Sequence, residues 1–275
     1  MSMSTIVLAV ALFAGAAVHD ESVCLGFIDR SLLPMNVYVA GTESDGFSAL
    51  AEQAELIYLN GPGLGSLRAG GTYLVIRPEG YVRHPETRKP LGIYYRELGT
   101  VKVETTGAGS ASASVVANCH PFMKGDLVIP LEPRAEVQMT GKAADRLTAY
   151  PEGGLTGLVV LGLDDRRELA AGHVCFLGVG SRDGVRAGDW FTVYREQPRF
   201  NAQDMSVAGM GKGRTYKKVL SGLYKLEVTG TLKKRQLPPK VIGDLVVLRV
   251  SESTAVAKVV ASRSEVHVGD TVVRR

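Results

Sequence analysis

RAGGTYLVIR (Arg68–Arg77) returns as RAGDWFTVYR (Arg186–Arg195), 118 positions later. The same offset aligns Tyr58-Leu59 with Phe176-Leu177. Downstream the offset widens to 144, and it then holds through three blocks. LGTVKVE (Leu98–Glu104) matches IGDLVVL (Ile242–Leu248), ASASVVAN (Ala111–Asn118) matches AVAKVVAS (Ala255–Ser262), and KGDLVI (Lys124–Ile129) matches VGDTVV (Val268–Val273). An ordered series of this kind is the sequence signature of an internal repeat, and it restricts the fold more than any single motif does. The step in offset places an insertion between the strands ending at Arg195 and starting at Ile242. A surface connection is where an insertion of that length is tolerated.

Each block carries strand periodicity. Ala111, Ala113 and Val115 alternate with Ser110, Ser112 and Ser114, and Val101 and Val103 alternate with Thr100, Lys102 and Glu104, the period of a half-buried strand. Val246–Val250 is apolar throughout, as a strand covered on both faces would be. Gly-Asp pairs at 125–126, 188–189 and 269–270 each precede a strand-like run; glycine supplies positive φ there, and aspartate bonds its own backbone. Phe47–Glu55 is the one short helix candidate. The expected fold is all-β: two tandem small antiparallel β-barrel or sandwich domains of five to seven strands each. The expected boundaries are a signal peptide over 1–18, an N-terminal segment over 19–35, repeat one over 36–130, a linker over 131–156, and repeat two over 157–275 with a basic insertion over 196–240.

The signal peptide is read from Thr5–Ala17 (TIVLAVALFAGAA), thirteen uncharged residues that end in small side chains. That is too short to span a bilayer and the right length for a secretory h-region, although no Lys or Arg precedes it. The reading implies a periplasmic, cell-envelope or extracellular location, and no transmembrane segment in the mature chain. Cys24, Cys119 and Cys175 allow at most one intrachain disulfide and leave one thiol over; Cys119–Cys175 is one such pairing, and Cys24 is positioned like a lipidated cysteine except that Val23 precedes it.

Candidate chemistry is thin. GPGLG (Gly61–Gly65) and GMGK (Gly209–Lys212) lack the spacing and the following helix of a phosphate loop. Cys119-His120 and His173-x-Cys175 lack the paired ligands of a zinc site, so no metal and no cofactor is expected. No Ser/His/Asp or Cys/His arrangement stands out. The polar residues shared by both repeats are Arg68/Arg186, Arg77/Arg195 and Asp126/Asp270, too few to describe a duplicated catalytic site. The expectation is therefore a non-enzymatic protein, with a hydrolase of unrecognised site as the rival.

Charge offers one binding candidate. The net charge of +4 over 275 residues is too small to indicate a nucleic-acid protein. Between Arg195 and Lys240, however, eleven basic side chains stand against three acidic ones. Such an excess suits an anionic partner such as a cell-wall glycan, a lipid headgroup or nucleic acid. The candidate binding residues are Arg195, Arg199, Lys212, Arg214, Tyr216, Lys217, Lys218, Tyr224, Lys233, Lys234 and Arg235. His84 and Arg88 join them from the corresponding connection of the first repeat, RHPETRKPLG (Arg83–Gly92). That stretch is expected to be a wet loop, kept out of the sheet by its prolines.

GYVRHPETRKPLGIYYRELGTVKVE (Gly80–Glu104), followed by an Ala-x-Ala-x-Val-Val strand and KGDLVIP, resembles the β-rich region downstream of LysM (peptidoglycan-binding) modules in bacterial cell-envelope proteins. The likeness covers both repeats, and its most specific part is the His-Pro-Glu-Thr hairpin of the first. No LysM module itself is present in the sequence. The resemblance implies an exported, envelope-associated, non-catalytic β protein. It does not carry peptidoglycan binding, which would belong to the missing module. The expected partner is an envelope protein, peptidoglycan or further copies of itself, and self-assembly would proceed through sheet edges.

Overall fold

The structure, a computed structural model, describes residues 24–43, 55–134, 137, 143–151, 153–197 and 238–275. The proposed signal peptide, the helix candidate (all but Glu55) and most of the basic insertion lie outside these residues. The alternating segments form strands throughout, and the fold is all-β. After β1 (Phe27–Asp29) come β2 (Tyr38–Thr42), β3 (Leu56–Asn60), β4 (Thr72–Arg83), β5 (Pro90–Thr106), β6 (Ala111–Asn118) and β7 (Leu127–Pro130). β8 (Thr156–Gly162), β9 (Glu168–Leu169), β10 (Val174–Leu177) and β11 (Trp190–Arg195) follow. The chain ends with β12 (Lys240–Val250), β13 (Ala255–Ser262), β14 (Val266–His267) and β15 (Thr271–Arg274). Among the described residues no helix is long and apolar enough to cross a membrane.

Six of the later strands close into an antiparallel barrel in the order β8-β10-β13-β12-β11-β15. The earlier strands form a seven-stranded sheet, β1-β5-β4-β7-β2-β3-β6, in which an additional β5–β6 pairing joins six strands into a ring and leaves β1 outside. Taken from β2, that ring runs β2-β3-β6-β5-β4-β7, the cyclic order of the barrel. The matched sequence blocks occupy corresponding strands: Ala111–Asn118 is β6 and Ala255–Ser262 is β13, residue for residue.

Both interiors are filled. Val39, Ile57, Leu59, Val75, Leu98, Val101, Val103 and Phe122 pack inside the first ring. Val159, Cys175, Leu177, Phe191, Val193, Leu245 and Val247 pack inside the second. Each fully buried Val, Leu or Phe contributes about 1.5–3 kcal/mol relative to exposure. Backbone approaches closely at a glycine in corresponding strands of the two rings. A Cβ on Gly99 would stand 2.2 Å from the Ala117 carbonyl oxygen, and one on Gly243 would stand 2.3 Å from that of Ala261. The β5/β6 and β12/β13 registers shift beside these glycines, bulges that coil the sheet.

RHPETRKPLG departs from expectation. The β4–β5 ladder does not stop at Arg77 but continues from Pro78↔Tyr95 to Arg83↔Pro90, so only His84–Lys89 forms the tip. Pro90 opens β5, where a missing donor matters least, and Pro78 lies beside the register shift at Pro78/Gly80. The resulting two-stranded arm, with β1 added to β5, lies against the outer wall of the second ring. Leu25, Ile28, Val82 and Tyr94 pack there with Leu158, Val160, Phe176 and Val256, and the Tyr94 and Phe176 rings meet edge-on at 5.2 Å. The segment between the rings is not free either: Ala144 is buried with Tyr194, Val241 and Val273, and its N–H donates to Asp244 Oδ2 at 2.7 Å.

Introducing a side chain at the closure glycines is expected to be costly. Gly99→Val and Gly243→Val should each lose about 2–3 kcal/mol in denaturant unfolding, because the facing atoms are backbone. Gly65→Ala, where nothing lies within 4 Å, should change stability by less than about 0.5 kcal/mol.

Candidate functional site

The Gly-Asp pairs make one corner three times. In Met123–Asp126, Arg186–Asp189 and His267–Asp270 the aspartate N–H donates to the carbonyl three residues back, at 3.1 Å in each case. Its carboxylate accepts the N–H of that same residue at 2.5, 3.0 and 2.8 Å respectively. The intervening glycines have φ of +95°, +90° and +101°, the left-handed region that favours glycine. Two further corners reach the same end with other side chains. His173 Nδ1 accepts from Ala170 N at 3.1 Å, and the Tyr73 hydroxyl accepts from Arg68 N at 2.9 Å where Gly71 has no side chain to offer.

Arg77 and Arg195, on corresponding strands of the two rings, each clamp one such corner. Arg77 donates from Nε to Asp126 Oδ1 at 2.7 Å, and from Nη2 to Asp126 Oδ2 at 2.8 Å and to the Pro121 carbonyl at 3.0 Å. Arg195 does the same to Asp270 Oδ1 and Oδ2, at 2.7 Å each, and to the Glu265 carbonyl at 2.6 Å. The aspartates are 3% and 6% exposed, so the forks answer buried charges. Hydrogen bonding to the carboxylates raises both guanidinium pKa values, against an opposing effect of burial.

Arg195, expected on a binding face, thus has its guanidinium committed to architecture. His84 is half-buried at the arm tip, where Nδ1 accepts from Glu86 N and Thr87 N at 3.3 Å each. Arg88 is exposed, has φ +59° and donates its N–H to the His84 carbonyl. These three residues share no site. Arg199, Lys212, Arg214, Tyr216, Lys217, Lys218, Tyr224, Lys233, Lys234 and Arg235 lie outside the described residues.

Among the described residues a further polar grouping, one that sequence reasoning missed, lies at the seam between arm and second ring. Glu97 is 1% exposed. Its Oε1 accepts from Arg134 Nη2 and Arg249 Nη1 at 2.7 Å each, and its Oε2 from Leu25 N at 3.0 Å. Beside it, Arg96 bridges Glu79 at 2.8 Å and Asp164 at 2.5 Å, and His120 Nε2 stands 3.9 Å from the same Asp164 oxygen. Asp164 and Asp165 have φ of +58° and +57°, a left-handed pair of non-glycine residues that holds Asp164 toward the first ring. Burial first, and then Arg96, hold the His120 pKa below 6.5, with Asp164 opposing. Cys119, adjacent to His120, is disulfide-bonded to Cys24, not to Cys175. Cys175 is fully buried in the second ring, where burial alone pushes its thiol up to about 12.

Two grooves lie on the second ring. The larger, about 510 Å³, is lined by Ala143, Ala144, Asp145, Thr148 and Arg263. The smaller, about 210 Å³, is lined by Tyr150, Tyr194, Glu196, Pro239 and Thr271. Neither brings a histidine or a second carboxylate to its single acid. Among the described residues no group of three or more His, Cys, Asp or Glu side chains is placed to hold a metal ion. No protein-family model matches the chain, and no curated protein is similar to it.

Removing one partner of a clamp leaves a buried charge unanswered. Arg77→Met and Arg195→Met should each cost about 3–4 kcal/mol in chemical unfolding, while mutation of the exposed Arg68 should cost less than about 0.5 kcal/mol. His120 contributes stability that is complete above pH 6.5 and is lost as pH falls from 6.5 toward its lower folded value, since the unfolded chain binds that proton first. Its NMR titration should have a midpoint below 6.5, and His120→Gln should flatten the acid limb of the stability profile.

Proposed function

We propose that this chain is an exported, non-catalytic β protein of the cell envelope or extracellular space, in which two copies of one barrel unit form a rigid scaffold that holds a binding partner on its outside. The observation that carries this reading is the use of the buried polar side chains. Among the described residues Glu97, Asp126, Asp244 and Asp270 all meet protein partners, and apolar side chains pack inside both rings, which supports an architectural use of these acids. Export is supported by the Cys24–Cys119 disulfide, a bond that persists in oxidising compartments. The same bond occupies the sulfur that a lipid anchor on Cys24 would need. The partner classes we consider are another envelope protein, peptidoglycan or a second copy of the chain; the resemblance to LysM-associated regions supports an envelope location and does not itself carry peptidoglycan binding. Closed rings remove most sheet edges; among the described residues β1, the arm and the β9–β14 pair keep edges to which a strand could add.

A second reading, binding of an anionic polymer, draws on the place of the basic insertion. Arg195 pairs with Lys240, and Gln197 Nε2 donates to the Pro238 carbonyl at 2.7 Å, so the insertion leaves and re-enters the second ring at a single point. That point adjoins the groove of Tyr150 and Tyr194.

Fractionation of the native host should find the protein outside the cytosol, with a mature N-terminus beyond residue 17. A chain that begins at Met1 in the cytosol would overturn export. On purified sacculi, retention that falls steeply with added salt and is lost when Lys233, Lys234 and Arg235 are changed to Gln supports the polyanion reading. Salt-insensitive retention, unchanged in that variant, supports the scaffold reading.

A further inference from the structure

We propose that the Cys24–Cys119 disulfide is a redox latch on a strap, residues 24–34, that holds the arm of the first ring against the second. Within the sheet the strap is held by one ladder. Its strand β1 pairs with β5 over three residues, Phe27–Asp29, and has no second neighbour in the sheet. Its hold on the molecule therefore comes largely from side chains, since Leu25, Phe27 and Ile28 are all buried.

Its position is nevertheless central. Leu25 N reaches buried Glu97, Leu33 N reaches the Tyr95 hydroxyl at 2.7 Å, and Arg249 of the second ring lies 4.9 Å over the Phe27 ring. Leu25 and Ile28 fill the seam against Phe176 and Val160. The disulfide closes a separation of 95 residues and fastens the strap at Cys24 to the residue that follows β6.

The latch is chemically accessible and insulated. Cys119 is exposed, whereas Cys175 is buried in the core of the second ring and stays out of exchange. Opening requires a dithiol reductant. One of its thiolates attacks a sulfur of the bridge and expels the other cysteine as thiolate, and its second thiol then resolves the mixed disulfide. The dithiol is oxidised to its own disulfide by two electrons, and Cys24 and Cys119 each end as a protonated thiol. Both rings retain their cores, so the change is confined to strap and seam.

The test uses the whole chain, oxidised and after treatment with dithiothreitol. Thiol titration in denaturant should count one thiol before reduction and three after. Hydrogen exchange should show protection across residues 25–33 falling about tenfold or more on reduction, while β6 and β13 hold theirs. The Cys24→Ser/Cys119→Ser variant should reproduce the reduced pattern and Cys175→Ser the oxidised one; reduction of the unaltered chain provides the same reading if the double variant does not fold. Three thiols before reduction, unchanged strap protection, or loss of β6 and β13 together with the strap would each overturn the proposal.

Discussion

Asp126 and Asp270 are nearly dry, and the closure of each ring depends on how their charge is answered. A buried carboxylate without partners is too costly to persist. Here it receives two N–H groups from one arginine and a third from the backbone three residues back. That fixes the corner before the last strand, and the aspartate carbonyl then accepts an N–H from the first strand, Val39 in one ring and Val159 in the other. The clamp therefore sits where the first and last strands of each ring meet. The arginine comes from the strand on the other side, so three strands are registered at one point.

The rings are alike at the clamp and differ at the seam. Position 241, at the 144-residue offset from Glu97, is valine, buried with Ala144 and Tyr194. Only the first ring places a carboxylate there, and only that carboxylate gathers groups from the strap, the inter-ring segment and the second ring. Asp164 answers from the opposite side through a strained turn, held by Arg96. Such strain persists where surrounding contacts over-determine it, and the seam supplies them through the apolar cluster around Tyr94 and Phe176.

Much of this was legible in the sequence. The offsets of 118 and 144 mark corresponding strands, the alternation around Ala113 and Val101 identifies inward residues, and the Gly-Asp pairs are corners. The arm was not legible, because Pro78, Gly80 and Pro90 resemble breakers while a bulge and a strand start accommodate all three. Glu97 stands as one glutamate in a charged stretch, RELG, and what makes it special is burial by segments 72 and 152 residues away. The partner of Cys119 was hidden for the same reason: pairing follows from which chain segments the topology brings together, not from spacing.

The connection after the clamp arginine differs between the two rings. In the first ring it stays paired, lengthens into the arm and is consumed in joining the rings, with Tyr94 and Val82 turned into the seam. In the second ring the corresponding connection leaves the barrel between Arg195 and Lys240 and carries the basic stretch. Filled interiors and paired edges leave little else to vary without disturbing closure. The same position in the two rings thus carries a structural joint in one and the most basic stretch of the sequence in the other.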